Sequence, residues 1–193
     1  MNSDILDNLK FDIINSYNIT DALQAKFFDL IKKQPNSFYG RDDQSHITSS
    51  VLVIDQQHQN VLLTHHKKFD KWLQLGGHWM DHPGVQETVF SGGIREVFEE
   101  AYGNKPVEYL ALNEQLPLNI DVHPAGKDIH YDICYLVEID SKIPFVISDE
   151  SENLAWVSID EILNNSSKFE NRLQTMVNDA RQICSKQQKK IKP

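Results

Sequence analysis

The sequence predicts a mixed α/β layered domain with a helical extension at its N-terminal end. Apolar residues recur at helical spacing before residue 35, then alternate or run in short blocks from His46 onward, with helical segments interleaved. A length of 193 residues suits one domain with an extension better than two complete domains. The expected division is 1–40 for the extension, 41–185 for the main domain and 186–193 for a basic tail.

Residues 1–35 read as helical. Between Thr20 and Lys33, the side chains Leu23, Phe27, Leu30 and Ile31 share a helical face, and Pro35 marks the stop. Val51–Ile54 and Val61–Leu63 are short apolar runs joined by the polar stretch Asp55 to Asn60, which predicts a hairpin. A glycine-bearing loop (Gly76, Gly77, Gly84) is expected next, then a charged helix from about Gln86 to Ala101. Leu118, Ile120 and Val122 alternate with Asn119, Asp121 and His123, and Ile129 to Ile139 alternates as cleanly, so two more strands follow. Trp156 and Val157 belong to a last short strand. A helix near Asp160 to Leu163 and a C-terminal helix from about Phe169 to Cys184 precede the basic residues Lys186 to Lys192.

Composition narrows the function classes. No apolar run reaches the roughly 18 residues that span a bilayer. Met1 to Lys10 carries Asp4 and Asp7 and lacks the apolar stretch of a signal peptide, so a cytoplasmic protein without a membrane partner is expected. Cys134 and Cys184 are too few for a disulfide scaffold and lack metal-type spacing. A net charge of −9 argues against binding a nucleic-acid polymer, whose phosphates are gripped by clustered Lys and Arg. An acidic protein can still take a small phosphorylated ligand when divalent cations bridge the two.

The most informative stretch is Glu87 to Gly103. On a helix, Glu96, Glu99 and Glu100 stand at i, i+3 and i+4 and share one face. Like charges so close repel, and a divalent cation relieves the repulsion; Mg²⁺ takes oxygen ligands from a few carboxylates plus substrate phosphates. Taken alone, the triplet also reads as a solvated acidic helix face.

Its surroundings carry more. Glu87, seven residues, Arg95-Glu96, the aliphatic Val97, one residue and Glu99-Glu100 resembles the signature box of the Nudix family. His65-His66-Lys67-Lys68, Trp72 to Leu75, Gly76-Gly77-His78, Asp121 to Pro124 and Ala155 to Val157 resemble one bacterial branch of it, over about residues 46–163. Three departures stand out. Asp81 replaces the box glycine, as if the loop between Gly77 and Glu87 carried a four-residue insertion; Tyr102 replaces the closing glycine, with Gly103 one place late. Gly92-Gly93 replaces small helix residues, at roughly 1 kcal/mol per Gly relative to Ala, and suits close packing of helix on sheet.

The resemblance implies a Nudix-type α/β/α sandwich with a central mixed sheet. It implies Glu96, Glu99 and Glu100 as ligands of Mg²⁺ or Mn²⁺, one of them also activating the attacking water. Arg95, grouped with these catalytic residues, and Glu87 would brace the loop–helix turn, although Arg95 also reads as an ordinary i, i+4 partner of Glu99. The carbonyl of Gly76 or Gly77 would add a ligand. Glu150 and Glu152 precede the last strand as candidates for an acidic one, set against a solvated loop.

Substrate contacts are expected from His65 and His78, and from stacking on Trp79 and Tyr102, though aromatic residues more often simply pack. One register of the later hairpin sets His123 opposite His130 and Asp121 opposite Asp132, on the face away from Ile120, Val122, Tyr131 and Ile133. Such a patch could touch substrate or a metal, and a solvent-facing strand surface is the plainer reading.

The expected activity is metal-dependent hydrolysis, by water, of a diphosphate linkage in a nucleoside diphosphate joined to another moiety, or in a nucleoside triphosphate. A homodimer is admissible. Two alternatives stay open: a catalytically silent ligand-binding or regulatory module on the same fold, and an isopentenyl-diphosphate isomerase-like enzyme. The second would need a cysteine where Gly76 and Gly77 stand.

Overall fold

The structure, a computed structural model, describes residues 3–33, 44–79 and 87–191. Strand β1 (Ser45–Asp55) is buried along nearly all its length. One edge runs parallel to β7 (Asp128–Ile139), from Ser45 beside Ile129 to Asp55 beside Ile139. The other edge pairs antiparallel first with β4 (Leu75–His78) and then with β2 (Asn60–His66). Strand β2 continues to β3 (Lys71–Leu73) and β8 (Ser151–Ser158), while β7 pairs with β5 (Leu110–Ala111) and β6 (Asn119–Ala125). The eight strands among the described residues make one mixed sheet.

Alternation along β1 separates the layers. Leu52 and Ile54, with Val61 and Leu63, pack against α4 (Ile159–Leu163) and α5 (Asn171–Ile191), where Leu173, Met176, Val177 and Ala180 recur at helical spacing. Val51 and Val53, with Leu62 and Leu75, face Ile94, Val97 and Ala101 of α3 (Val89–Ala101). Helices α1 (Ser3–Asn15) and α2 (Asp21–Lys33) place Leu9, Ile13 and Phe27 against Ile47, Ile133 and Tyr135. The expected α/β fold with N-terminal helices is therefore present. Half-buried Asp12 accepts a 2.7 Å hydrogen bond from the Tyr135 hydroxyl, and partial desolvation raises its carboxyl to about 6.

The hairpin turn is secured by buried Asp55, which accepts from the backbone of Gln59 (2.8 Å) and Asn60 (3.2 Å). Three expectations change. Gly76 and Gly77 lie in strand β4, paired with Ser50 and Ser49, because the glycines allow a backbone approach that side chains would block. Helix α3 begins at Val89. Helix α5 runs to Ile191, so much of the expected tail continues it; Lys and Gln favour helix and no breaker precedes Pro193. Pro35, Asp81, Gly84 and the loop insertion lie outside the described residues. No helix among the described residues is long and apolar enough to cross a membrane.

Candidate active site

The local sequence explains how α3 reaches the sheet. The Thr88 hydroxyl caps the helix, accepting from the Ser91 amide at 3.1 Å. A Cβ on Gly93 would lie 2.7 Å from Ser49 Oγ and 2.9 Å from Val51 Cγ2, so only glycine permits this approach. Ser49 Oγ fixes the contact by donating to the Val89 carbonyl at 2.6 Å. At the far end Gly103, with φ +57°, takes the reversal that Tyr102 does not.

This approach presses two box carboxylates against β4. A Cβ on Gly77 would stand 2.6 Å from Glu96 Oε2, a space that the glycine leaves open. Glu100 is only 7% exposed and receives the Gly76 amide at 3.4 Å. Burial raises the Glu96 carboxyl to about 7; Arg95 opposes the rise, while Glu99 and Glu150 add to it. Burial raises Glu100 to about 8, and repulsion from Glu96 adds to it. Glu99 is more open and meets Arg95 Nη1 at 3.3 Å. Crowded, partly desolvated carboxylate oxygens beside an open cradle at Gly77 fit a hard divalent cation, which favours their ionised form.

Arg95 holds this arrangement in register. Its Nε and Nη2 donate to the two oxygens of Glu87 at 3.0 and 3.3 Å, Nη2 to the His78 carbonyl at 2.9 Å, and Nη1 to Glu96 at 2.7 Å. Burial works against its charge, but the bonds to Glu87 and Glu96 outweigh that and its pKa rises. The planar fork joins the loop, β4 and the carboxylates, a task that a lysine cannot match. Trp79 Nε1 donates to the Glu87 carbonyl at 3.1 Å and fixes the same turn.

A cavity of about 1280 Å³ opens beside β4. Gly76, Gly77, Glu100 and Glu150 contribute to its wall, as do His66, Lys67, Lys68 and Lys127. Glu150 rather than Glu152 lies there. Its carbonyl accepts the Lys67 amide at 3.0 Å, tying the basic run to the acidic loop.

The hairpin register is the expected one, with His123 beside His130 and Asp121 beside Asp132. Its polar face is not an open solvent surface: the residues line the cavity and Arg172 of α5 lies over them. Arg172 Nη1 is 2.5 Å from His123 Nδ1 and 3.3 Å from Asp121, and Nη2 is 3.7 Å from Asp132. Thr48 and Ser50 donate to Asp132 at 2.9 and 2.7 Å. Burial, reinforced by the neighbouring His46, pushes His130 down to about 4. Sequence reasoning missed His46 and Arg172. The alternation of His46, Thr48 and Ser50 at the start of β1 was the signal for a polar face there.

Other expectations do not survive. Trp79 is fully buried in the core shared with α1 and α2, and Tyr102 is buried against α3's apolar layer, so neither offers a ring to a substrate. Burial lifts the Tyr102 hydroxyl to about 12. His65 turns toward Trp72 and Asp70 in a separate small pocket, and its strand neighbour His66 lines the main cavity, as alternation requires. His78 does line it. The thiols of buried Cys134 and Cys184, raised by burial to about 12 and about 11, do not line it, which removes the isomerase-type cysteine.

A family model described as the NUDIX domain matches residues 44–179. The chain is similar to a crystallised NUDIX-family hydrolase from Clostridium perfringens, at 25% identity and a TM-score of 0.57, over 72% of this chain and 97% of that one. It is similar in fold to a C. elegans Ap4A hydrolase in a binary complex (15% identity, TM-score 0.59, 72% and 97% covered). The fold of the MutT protein from Methanosarcina mazei Go1 is also similar (17% identity, TM-score 0.54, 70% and 92% covered). No curated protein matches the chain significantly. Since the family model spans well over half of a sequence whose box residues meet at β4 as described, the chain belongs to the Nudix family, among its pyrophosphohydrolases.

Proposed function

We propose that this enzyme hydrolyses the diphosphate linkage of a nucleoside diphosphate joined to a second moiety, or of a nucleoside triphosphate, by water attack at phosphorus with Mg²⁺ or Mn²⁺. The observation that carries the reading is the crowded pair Glu96 and Glu100 against Gly76-Gly77 at the edge of the large cavity. Glu96, Glu99 and Glu100, with the Gly77 carbonyl and Glu150, would hold the cation. When bound there, it supplies neutralisation of the diphosphate and a lowered pKa for water. Glu100, which reaches the cavity wall, accepts the proton of the attacking water. Arg95 is a positioning residue. Lys67, Lys68 and Lys127 line the cavity where they can offset phosphate charge. The volume, about 1280 Å³, exceeds the roughly 300–1,000 Å³ common for small ligands and leaves room for a nucleotide with a second group.

The test is monophosphate release from nucleotide sugars, CDP-alcohols, dinucleotide polyphosphates and nucleoside triphosphates, with Mg²⁺ or Mn²⁺ and with chelator. Ap4A belongs in the panel because a similar fold is an Ap4A hydrolase. Hydrolysis of at least one class, abolished by chelator, is expected. Inertness across the panel in a protein that binds the metal would replace this reading with a binding module.

A further inference from the structure

The sheet register gathers three imidazoles from three neighbouring strands. His46 of β1 lies directly beside His130 of β7, and His78 of β4 pairs with Thr48, the next residue on His46's face. The His46 ring centroid is 4.8 Å from that of His78 and 4.9 Å from that of His130. One nitrogen from each lies within 4.8 Å of the others. We propose that His46, His78 and His130 form a second metal site, for a transition-metal cation of the Zn²⁺ class, separate from the carboxylate cluster.

Donor chemistry separates the two sites. Imidazole nitrogen suits borderline cations such as Zn²⁺, Co²⁺ and Ni²⁺, whereas carboxylate oxygen suits Mg²⁺ and Mn²⁺. Alternation separates them in space. The open Cβ position of Gly77 faces Glu96, and the next side chain, His78, turns to the opposite side of β4. Tetrahedral ligation at a Zn–N distance near 2.0–2.1 Å needs nitrogens roughly 3.3 Å apart, so the rings must close by about 1.5 Å at most. Small χ rotations supply that without moving the strands. His46 is 1% exposed, so this is no casual surface cluster, yet all three residues line the cavity through which a cation enters. Asp132, two residues along β7 and held by Thr48 and Ser50, adds negative charge beside the site. Three protein ligands leave a coordination position toward the cavity, as in metal sites that meet a substrate.

Co²⁺ titration of the full chain, followed by visible absorption, tests the proposal without reference to hydrolysis, so its failure would leave the proposed function standing. A nitrogen-rich, low-coordinate Co²⁺ site absorbs strongly, and an octahedral oxygen site only weakly. A strong band that saturates at a single equivalent and is displaced by Zn²⁺ is expected. His46→Asn or His130→Asn should weaken binding at least ~10-fold with the circular dichroism spectrum retained. Glu96→Gln should keep the band. Absence of a strong band in the unaltered protein, which needs no variant to fold, would overturn the site; so would a band that survives His130→Asn.

Discussion

The carboxylate end of α3 and the imidazole cluster of β1, β4 and β7 border one cavity, but their residues meet by different routes. Glu96, Glu99 and Glu100 lie within five consecutive residues of one helix, and helical geometry alone puts them together. His46, His78 and His130 are scattered over 85 positions and meet only because β1 lies between β4 and β7 in a fixed register. A site written on one element can be read locally. One assembled across a sheet requires the strand order first.

That contrast can be broken most directly at Glu100. Glu100→Gln keeps size and removes the charge, and kcat should fall on the order of 10³-fold while far-ultraviolet circular dichroism stays unchanged. A variant within tenfold of the parent would remove Glu100 from the reaction.

The next effect tests the close approach. Gly77→Ala would put a Cβ 2.6 Å from Glu96 Oε2 and push that carboxylate away, lowering kcat/KM by about 10²-fold, as expected for a displacement near 1 Å. Gly103→Ala is its counterpart. The nearest atoms there are 4.0 Å away, so only the left-handed backbone at φ +57° resists, at about 1 kcal/mol of stability with little loss of turnover. Equal activities in the two variants would show that the glycine at β4 has no part in placing Glu96.

Stability against pH gives a smaller effect with a definite sign. Glu100 is raised from 4.5 to about 8 in the folded protein, and Glu96 to about 7. The native state thus holds protons that the unfolded chain has released, and stability falls as pH rises from about 4.5 to about 8. In chelator, Tm should drop by several degrees across that window. Saturating Mg²⁺, which favours the ionised carboxylates, should flatten the slope. A metal-free Tm that rises across the window would contradict the burial of this pair.

The sequence made the hairpin β1–β2, the strands β6 and β7 and the face shared by the three glutamates legible, because each is a local pattern. The β6–β7 register was legible too, since opposing His and Asp pairs and apolar partners agree on one alignment. Strand β4 was not, because Gly76-Gly77 looks like a loop until Ser49 and Ser50 are known to lie alongside. The burial of Trp79 was hidden for the same reason: the apolar cluster it joins draws Ile47, Val89 and Ile133 from three separate elements. Arg172 stands on the expected C-terminal helix, and nothing local says that α5 crosses the His123 and Asp121 face.

The central claim is that α3's buried carboxylates, held against the β4 glycines, bind the hard cation. Mn²⁺ binding measured by electron paramagnetic resonance tests it directly on the unaltered chain, Glu96→Gln, Glu100→Gln and His130→Asn. Mn²⁺ affinity should drop at least ~10-fold in each glutamate variant and stay nearly unchanged in His130→Asn. Full affinity in Glu96→Gln and Glu100→Gln would contradict the account.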